Sequence, residues 1–155
     1  MDPSERKRNG VATFLPGRLF QRGNFLNWPA AQKRQMLDEL GVTVVLNLWL
    51  KVDPDLSPLT HQYGLAYFNW HISPSVLPKD SEVMVEFLGK MLDRGHVLLV
   101  HCEAGKGRSV WLSTRLLARQ LGIPKARAWE MAKLRVPGHS VHGPLLADLT
   151  EEGER

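Results

Sequence analysis

Hydrophobic and polar positions divide the chain into two alternating kinds of segment. Short apolar runs rich in β-branched residues predict buried strands at 42–48, 65–70 and 97–100, and a turn followed by a first strand is predicted within 14–23. Between them lie longer segments whose apolar residues recur at helical spacing. Strands that alternate with helices favour parallel pairing, so the pattern predicts an α/β fold with a central, mainly parallel sheet flanked by helices.

Prolines, glycines and capping residues set the expected limits of the helices. In the 80–93 segment, Val83, Phe87, Leu88 and Met91 are predicted to form the inner face. The predicted helices cover residues 29–40, 56–63, 80–93, 109–118, 124–135 and 145–149.

Length and composition are those of one globular domain. The chain has 155 residues, of which 43% are hydrophobic and 23% charged. We expect a single domain over residues 11–150, a flexible N-terminus at 1–10 and a charged tail at 151–155.

The net charge and the cysteine content limit which partners and which cellular compartment are expected. The formal net charge is +4, which is compatible with polyanionic ligands; nucleic acid is an unlikely partner, although the charge does not exclude it. The chain has one cysteine, no apolar run long enough to span a bilayer, and an N-terminus without the apolar segment of a signal peptide. These features predict a cytoplasmic protein with no membrane partner. A free thiol persists in the reducing cytoplasm.

The candidate chemistry lies in the segment HCEAGKGRS at 101–109, which contains the only cysteine, Cys102. A strand, a glycine-rich turn and a helix N-terminus together form an anion site, because backbone N–H groups and the helix dipole converge there. The same field favours a thiolate. Arg108 can place two N–H donors on a phosphoryl group, and Ser109 can donate its hydroxyl to the sulfur.

This segment resembles the signature loop of the cysteine-dependent protein tyrosine phosphatase superfamily, in which His-Cys is followed by five residues, Arg, and Ser or Thr. Over 14–149, the order of elements is similar to that of small dual-specificity phosphatases. The resemblance implies a phosphatase-like fold with the phosphate loop between a central strand and a helix.

The resemblance also implies roles for individual residues. Cys102 would attack phosphorus, water would hydrolyse the resulting phosphocysteine, and Ser109 would help the sulfur leave. His101 would orient the loop, and no metal or cofactor is required. The substrate would be bound by the guanidinium and the backbone amides of Glu103, Ala104, Gly105, Lys106, Gly107 and Arg108.

The sequence departs from the family at the general acid. The family carries an Asp on the loop after the strand equivalent to 65–70, whereas 72–78 here is ISPSVLP, with no carboxylate. We rank Asp80 first as the proton donor, Asp53 or Asp55 second, and no acid third. Asp80 is at least as well explained as a helix cap.

The leading hypothesis is a phosphatase acting on phosphotyrosine, with phosphoserine and phosphothreonine as further substrates, so a phosphorylated protein or a small phosphate ester is the expected partner. One alternative is a non-protein substrate: an RNA 5′-triphosphate, a phosphoinositide or a phosphosugar. The other alternative is a phosphate-binding module with little turnover. Lys106 is expected to point into the pocket mouth, and the carboxylate of Glu103 argues against highly charged inositol lipids.

Overall fold

The computed structural model describes residues 10–56 and 64–150. It has five strands: Ala12–Leu15 (β1), Leu19–Arg22 (β2), Val44–Asn47 (β3), Ala66–Asn69 (β4) and Leu98–His101 (β5). In the described residues the helices are Ala30–Leu40 (α1), Ser81–Asp93 (α2), Arg108–Leu121 (α3), Lys125–Arg135 (α4) and Gly143–Thr150 (α5).

All five strands belong to one sheet, in the order β1-β2-β5-β3-β4. The β2–β5, β5–β3 and β3–β4 pairs are parallel, and only β1 runs antiparallel to its neighbour. The predicted mainly parallel α/β sheet is therefore confirmed. Strand β5 is central, so its C-terminal end opens at the middle of the sheet edge where ligands bind in such folds.

The central strands β3 and β5 are buried on both faces, which explains why each has three consecutive apolar residues rather than an alternating pattern. In β5, Leu98 and Val100 join one core cluster, whereas Leu99 joins the other. Helix α1 covers the second cluster, and α2 to α5 cover the first. The predicted buried helix after the glycine-rich turn is confirmed as α3, in which residues 109–118 are all buried.

Helix ends follow the expected local chemistry. Pro29 and Pro124 directly precede α1 and α4, where a missing N–H costs no helical hydrogen bond. Gly41 and Gly122 end α1 and α3 with positive φ angles of 72° and 65°, a conformation that glycine adopts without strain.

The predicted turn and strand within 14–23 are present as residues 16–18 and β2, and the structure adds a strand before the turn, so the chain forms a hairpin here. Strand β1 ends at Leu15, whose carbonyl accepts a hydrogen bond of 3.0 Å from the N–H of Arg18. Gly17 takes a φ of +69° within that turn. The turn brings residues 12–15 back beside β2.

The predicted inner face of α2 is also partly wrong. Val83 is 72% exposed and Phe87 46% exposed, whereas Val85, Leu88 and Leu92 are buried. The buried positions are separated by three and four residues, as one helical face requires. Val83 and Phe87 lie off that stripe.

Three predicted segments lie wholly or largely outside the described residues. They are the N-terminus at 1–10, of which only residue 10 is described, the helix at 56–63, of which only Leu56 is described, and the tail at 151–155. Within the part of the chain that the structure describes, no helix combines the length and apolar character that crossing a membrane requires.

Candidate active site

A loop of residues 102–107 leaves the C-terminal end of β5 and enters the N-terminus of α3. Gly107 precedes the first residue of the helix, Arg108, and its carbonyl accepts the N–H of Trp111 at 2.9 Å. Cys102 is the first residue of the loop, and it is 98% buried, with a relative exposure of 2%. The N–H groups of the first helical turn have no partners within the helix, so they are free to bind an anion beside the thiol.

The loop is packed tightly against the segment that follows β2. Gly105 has a φ of +74°, and a Cβ there would overlap the backbone of Gly23. The backbone N–H and the side-chain amide of Asn24 each donate to the carbonyl of Glu103 at 2.9 Å. Glycine at 105 is thus required by both the backbone angle and the close approach.

Three side chains form a chain of hydrogen bonds behind the thiol. The amide Nε2 of Gln21 donates to the carbonyl of Gly105 at 2.7 Å and to Ser109 Oγ at 2.8 Å. Ser109 Oγ lies 3.1 Å from Cys102 Sγ. Because the serine oxygen already accepts from an amide, its own hydrogen is free to donate to the sulfur.

His101 is buried in a way that keeps its ring neutral. Its ring lies 5.0 Å from the ring of Phe25, and burial lowers its pKa to about 4. Nδ1 lies 3.4 Å from the carbonyl of Cys102, which can only accept, so the proton belongs on Nδ1. A neutral ring in this position contacts the loop backbone without adding charge beside the thiol.

Cys102 opens into a cavity of about 110 Å³. The loop forms one side of it, with Cys102, Glu103, Ala104, Gly107 and Arg108. Pro74 contributes from the 71–78 loop, and the remaining lining residues, from the segment before and within α5, are Ser140, Val141, His142 and Leu145.

Arg108 is held at this cavity by the 71–78 loop. Its Nη1 donates to the carbonyl of Ile72 at 3.2 Å. Its Nη2 lies 4.0 Å from a carboxylate oxygen of Glu103, whose side chain is 58% exposed. The guanidinium therefore lines the cavity with Cys102, and Glu103 lies at the solvent side.

The carboxylates considered as general acids lie elsewhere. Asp53 is fully buried, with both oxygens 3.0 Å from the Nζ of Lys33, and Asp55 pairs with the same nitrogen at 2.8 Å. Neither Asp53 nor Asp55, ranked second as the proton donor, lines the cysteine cavity. Asp80 is exposed at the start of α2, forms no side-chain cap hydrogen bond and does not line the cavity.

Lys106 also differs from expectation. Its residue is exposed and borders a neighbouring depression between β1 and residues 135–138, rather than the cysteine cavity. Its backbone carbonyl accepts a hydrogen bond of 2.8 Å from the N–H of Ser140. The backbone of Lys106 thus connects the loop to the 140–145 segment.

The donors around the cavity are those of an anion site. Loop amides, the N-terminus of α3 and the Arg108 guanidinium all offer N–H groups, and Cys102 lines the same cavity as Arg108. Over residues 10–56 and 64–150, no group of three or more His, Cys, Asp or Glu side chains is placed to hold a metal ion.

No protein-family model and no curated protein matches the sequence, whereas solved structures do. Human DUSP28 is 21% identical, with a TM-score of 0.71 and coverage of 92% of this chain and 91% of that chain. DUSP15 is 23% identical, with a TM-score of 0.72 and coverage of 92% and 86%. PTPMT1 in complex with PI(5)P is 15% identical, with a TM-score of 0.74 and coverage of 92% and 93%.

The chain has the fold of the small dual-specificity phosphatases. The resemblance drawn from the signature loop is confirmed at the level of the fold, which by itself does not determine function.

Within this dual-specificity phosphatase fold, sequence patterns identified the loop but missed its surroundings. Gln21 and His142 contact the site from 81 positions before and 40 positions after Cys102, so no local spacing links them to it. The one signal for Gln21 is the change from apolar to polar residues within β2, whose sequence is LFQR. His142 has no such signal, because a histidine between loop residues is usually exposed and without function.

Proposed function

We propose that this protein is a cysteine-dependent phosphatase that hydrolyses phosphomonoesters through a phosphocysteine intermediate. The observation that carries the proposal is the placement of Cys102 Sγ 3.1 Å from Ser109 Oγ, in a cavity that Arg108 also lines. A buried structural cysteine needs neither an arginine nor a glycine-rich loop beside it.

In the first step, the Cys102 thiolate attacks phosphorus and displaces the ester oxygen. The equatorial oxygens of the transition state accept hydrogen bonds from the amides of residues 103–108 and from the guanidinium of Arg108. Because these donors are fixed before the substrate arrives, little reorganisation accompanies the reaction.

In the second step, water attacks the phosphocysteine and the thiolate leaves. Ser109 stabilises the departing sulfur through its hydroxyl, which Gln21 holds in the donating orientation. Catalysis by this route requires only groups of the protein and water.

Phosphotyrosine is the substrate that the cavity wall favours, with phosphoserine and phosphothreonine as smaller alternatives. Pro74, Val141 and Leu145 present an apolar surface beside the phosphate site, against which an aromatic ring can pack. The expected partner is a phosphorylated protein or a small aryl phosphate. The free thiol of Cys102 fits the reducing cytoplasm.

A non-protein phosphate ester is the second candidate, supported by the similarity to PTPMT1, which was solved in complex with PI(5)P. The exposed carboxylate of Glu103 opposes it, because it repels the additional phosphates of a polyanionic substrate. A Glu103→Gln variant separates the two: if the carboxylate screens substrates, the variant gains activity on phosphoinositides and keeps its activity on a phosphotyrosine peptide.

The first test is the Cys102→Ser variant, assayed with 4-nitrophenyl phosphate. We expect turnover to be abolished while inorganic phosphate still binds, because the amides and Arg108 remain. A wild-type protein that binds phosphate but releases no 4-nitrophenol is a binding module rather than an enzyme. Cys102→Ser activity above a few per cent of wild type would show that another group is the nucleophile.

A further inference from the structure

The proposed reaction leaves one proton without a donor. The leaving oxygen of an unactivated ester needs a proton as the P–O bond breaks. Among the described residues that line the cysteine cavity, Glu103 is the only carboxylate, and it lies beside Arg108 at the solvent side. A proton donor within the cavity would therefore be another of its lining residues.

His142 lies in the right place. It lines the same cavity of about 110 Å³ as Cys102 and Arg108. A phosphoryl group bound by the loop amides and Arg108 therefore occupies the cavity that His142 also lines. The residue is exposed, so it exchanges protons with solvent.

The hydrogen bonds of His142 determine which ring nitrogen can act. Nδ1 lies 2.7 Å from the carbonyl oxygen of Ser140, which can only accept, so Nδ1 carries a hydrogen in both charge states. Nε2 is left as the nitrogen that gains and loses the proton. The N–H of Ser140 donates to the carbonyl of Lys106 at 2.8 Å, which fixes this turn to the phosphate loop.

We propose that His142 is the general acid of the first step and the general base of the second, an inference that rests on the proposed function. As the Sγ–P bond forms and the P–O bond breaks, the proton on Nε2 moves to the leaving oxygen, and the alcohol departs neutral. In the second step water attacks phosphorus, one water proton moves to Nε2, and the S–P bond breaks with its electron pair on sulfur. Both the thiolate and the imidazolium are thereby restored.

The charged groups that face His142 across the cavity are few. Cys102 and Arg108 come from the loop and α3, and Glu103 partly offsets the guanidinium; Lys106 meets this side through its backbone carbonyl. A general acid acts only while it carries its proton, so turnover of unactivated esters is expected to decline as the pH rises.

The test is the full chain with His142→Asn, assayed on phenyl phosphate and on 4-nitrophenyl phosphate. Asparagine can still donate to the Ser140 carbonyl, so the turn is preserved while the titrating nitrogen is removed. We expect kcat/KM for phenyl phosphate to fall about 100-fold or more, the usual contribution of general acid catalysis. The value for 4-nitrophenyl phosphate should change little, because that leaving group departs without a proton. The alkaline decline with phenyl phosphate should also disappear.

His71→Asn is the matched control, because His71 is another exposed histidine and does not line the cavity. His71→Asn should keep the wild-type ratio of the kcat/KM values for phenyl phosphate and 4-nitrophenyl phosphate. If His142→Asn also keeps that ratio while wild type turns over in a Cys102-dependent way, the inference is overturned and the phosphatase proposal stands. If Asp80→Asn, and not His142→Asn, lowers kcat/KM for phenyl phosphate relative to 4-nitrophenyl phosphate, Asp80 is the general acid and the inference is overturned. Absence of turnover by wild type on both esters would overturn both proposals.

Discussion

At the scale of single residues, the state of the thiol depends on a hydroxyl that the motif contains and on an amide that it does not. Ser109 Oγ accepts from Gln21 at 2.8 Å and lies 3.1 Å from Cys102 Sγ. Without the amide, the serine hydrogen is free to turn toward any nearby acceptor. Gln21 is therefore a positioning residue that acts through Ser109.

Replacing Gln21 with Leu should slow the second step more than the first. A hydrogen bond to a charged group contributes about 1.5–3 kcal/mol, which corresponds to about ten- to a hundredfold in rate. The departing thiolate loses this stabilisation, so phosphocysteine should accumulate. Rapid mixing with 4-nitrophenyl phosphate should show a burst of 4-nitrophenol followed by a reduced steady rate.

Ser109→Ala provides the control for this prediction. If Gln21 acts through Ser109, the two single variants should show similar bursts, and the double variant should be little worse than either. Fully additive losses would mean that the two side chains act independently. A merely structural role for Gln21 would lower the unfolding free energy without producing a burst.

At the scale of elements, the position of the 140–145 side of the cavity depends on how α5 is attached. Asp148 of α5 accepts hydrogen bonds from Trp111 at 2.9 Å and Arg115 at 3.0 Å in α3, and from Lys125 at 2.8 Å in α4. Leu145, which lines the cavity, lies one turn before Asp148 on the same helix. A buried carboxylate thus joins the packing of three helices to the geometry of the site.

Asp148→Asn should destabilise the protein by about 3–5 kcal/mol near neutral pH, the usual cost of breaking a buried ion pair. Burial alone would raise the pKa of Asp148, but the hydrogen bonds from Lys125 and Trp111 and the charge of Arg115 outweigh it, so the pKa is lowered. A group with a lowered folded pKa stabilises the protein above its unfolded pKa and loses that effect as the pH falls.

Urea unfolding of wild type and Asp148→Asn over a range of pH measures this dependence. The difference in unfolding free energy should be constant above about pH 4, the ordinary range for Asp, and should shrink as the pH is lowered further. A difference that does not vary with pH would show that Asp148 contributes by packing alone. Glu86→Gln serves as a comparison, because the pKa of Glu86 is also lowered, mainly by a hydrogen bond from Arg119, at an exposed site.

At the scale of the whole molecule, the anion site couples distant parts of the chain to one ligand. The cavity collects residues from the 71–78 loop, the loop after β5, and the segment before and within α5. An anion that binds only when these parts are assembled must stabilise the folded state. Ligand-dependent unfolding is therefore a direct measure of whether the site exists in solution.

Inorganic phosphate at one hundred times its dissociation constant should stabilise the protein by about 2.7 kcal/mol. This stabilisation by phosphate should persist in Cys102→Ser, because serine is small and leaves the N–H donors in place. It should be reduced in Arg108→Lys, because an ammonium cannot replace the planar guanidinium. Thermal unfolding at increasing phosphate, with chloride at the same ionic strength as the control, tests this. If phosphate and chloride raise the unfolding temperature equally, the stabilisation does not come from anion binding at the site.

Several parts of the structure were predictable because their causes are local. The glycine-rich turn between an apolar strand and a buried helix depends on residues 97–118 alone, and the structure has β5, the loop and α3 in those positions. The inner face of α2 was less predictable, because Val83 and Phe87 are apolar but exposed. Hydrophobicity identifies residues that can be buried, and the neighbouring elements decide which of them are.

The sequence by itself determined the α/β architecture, the mainly parallel sheet and the position of the cysteine loop, since these follow from the period of apolar residues and from backbone chemistry over a few positions. The tertiary structure alone decided which side chains surround that loop. It engaged Asp53 and Asp55 with Lys33, set Asp80 outside the cavity and placed His142 in it. The physical reason is that a catalytic contact spans a few ångströms across strands and helices that lie tens of residues apart, and only packing fixes those distances.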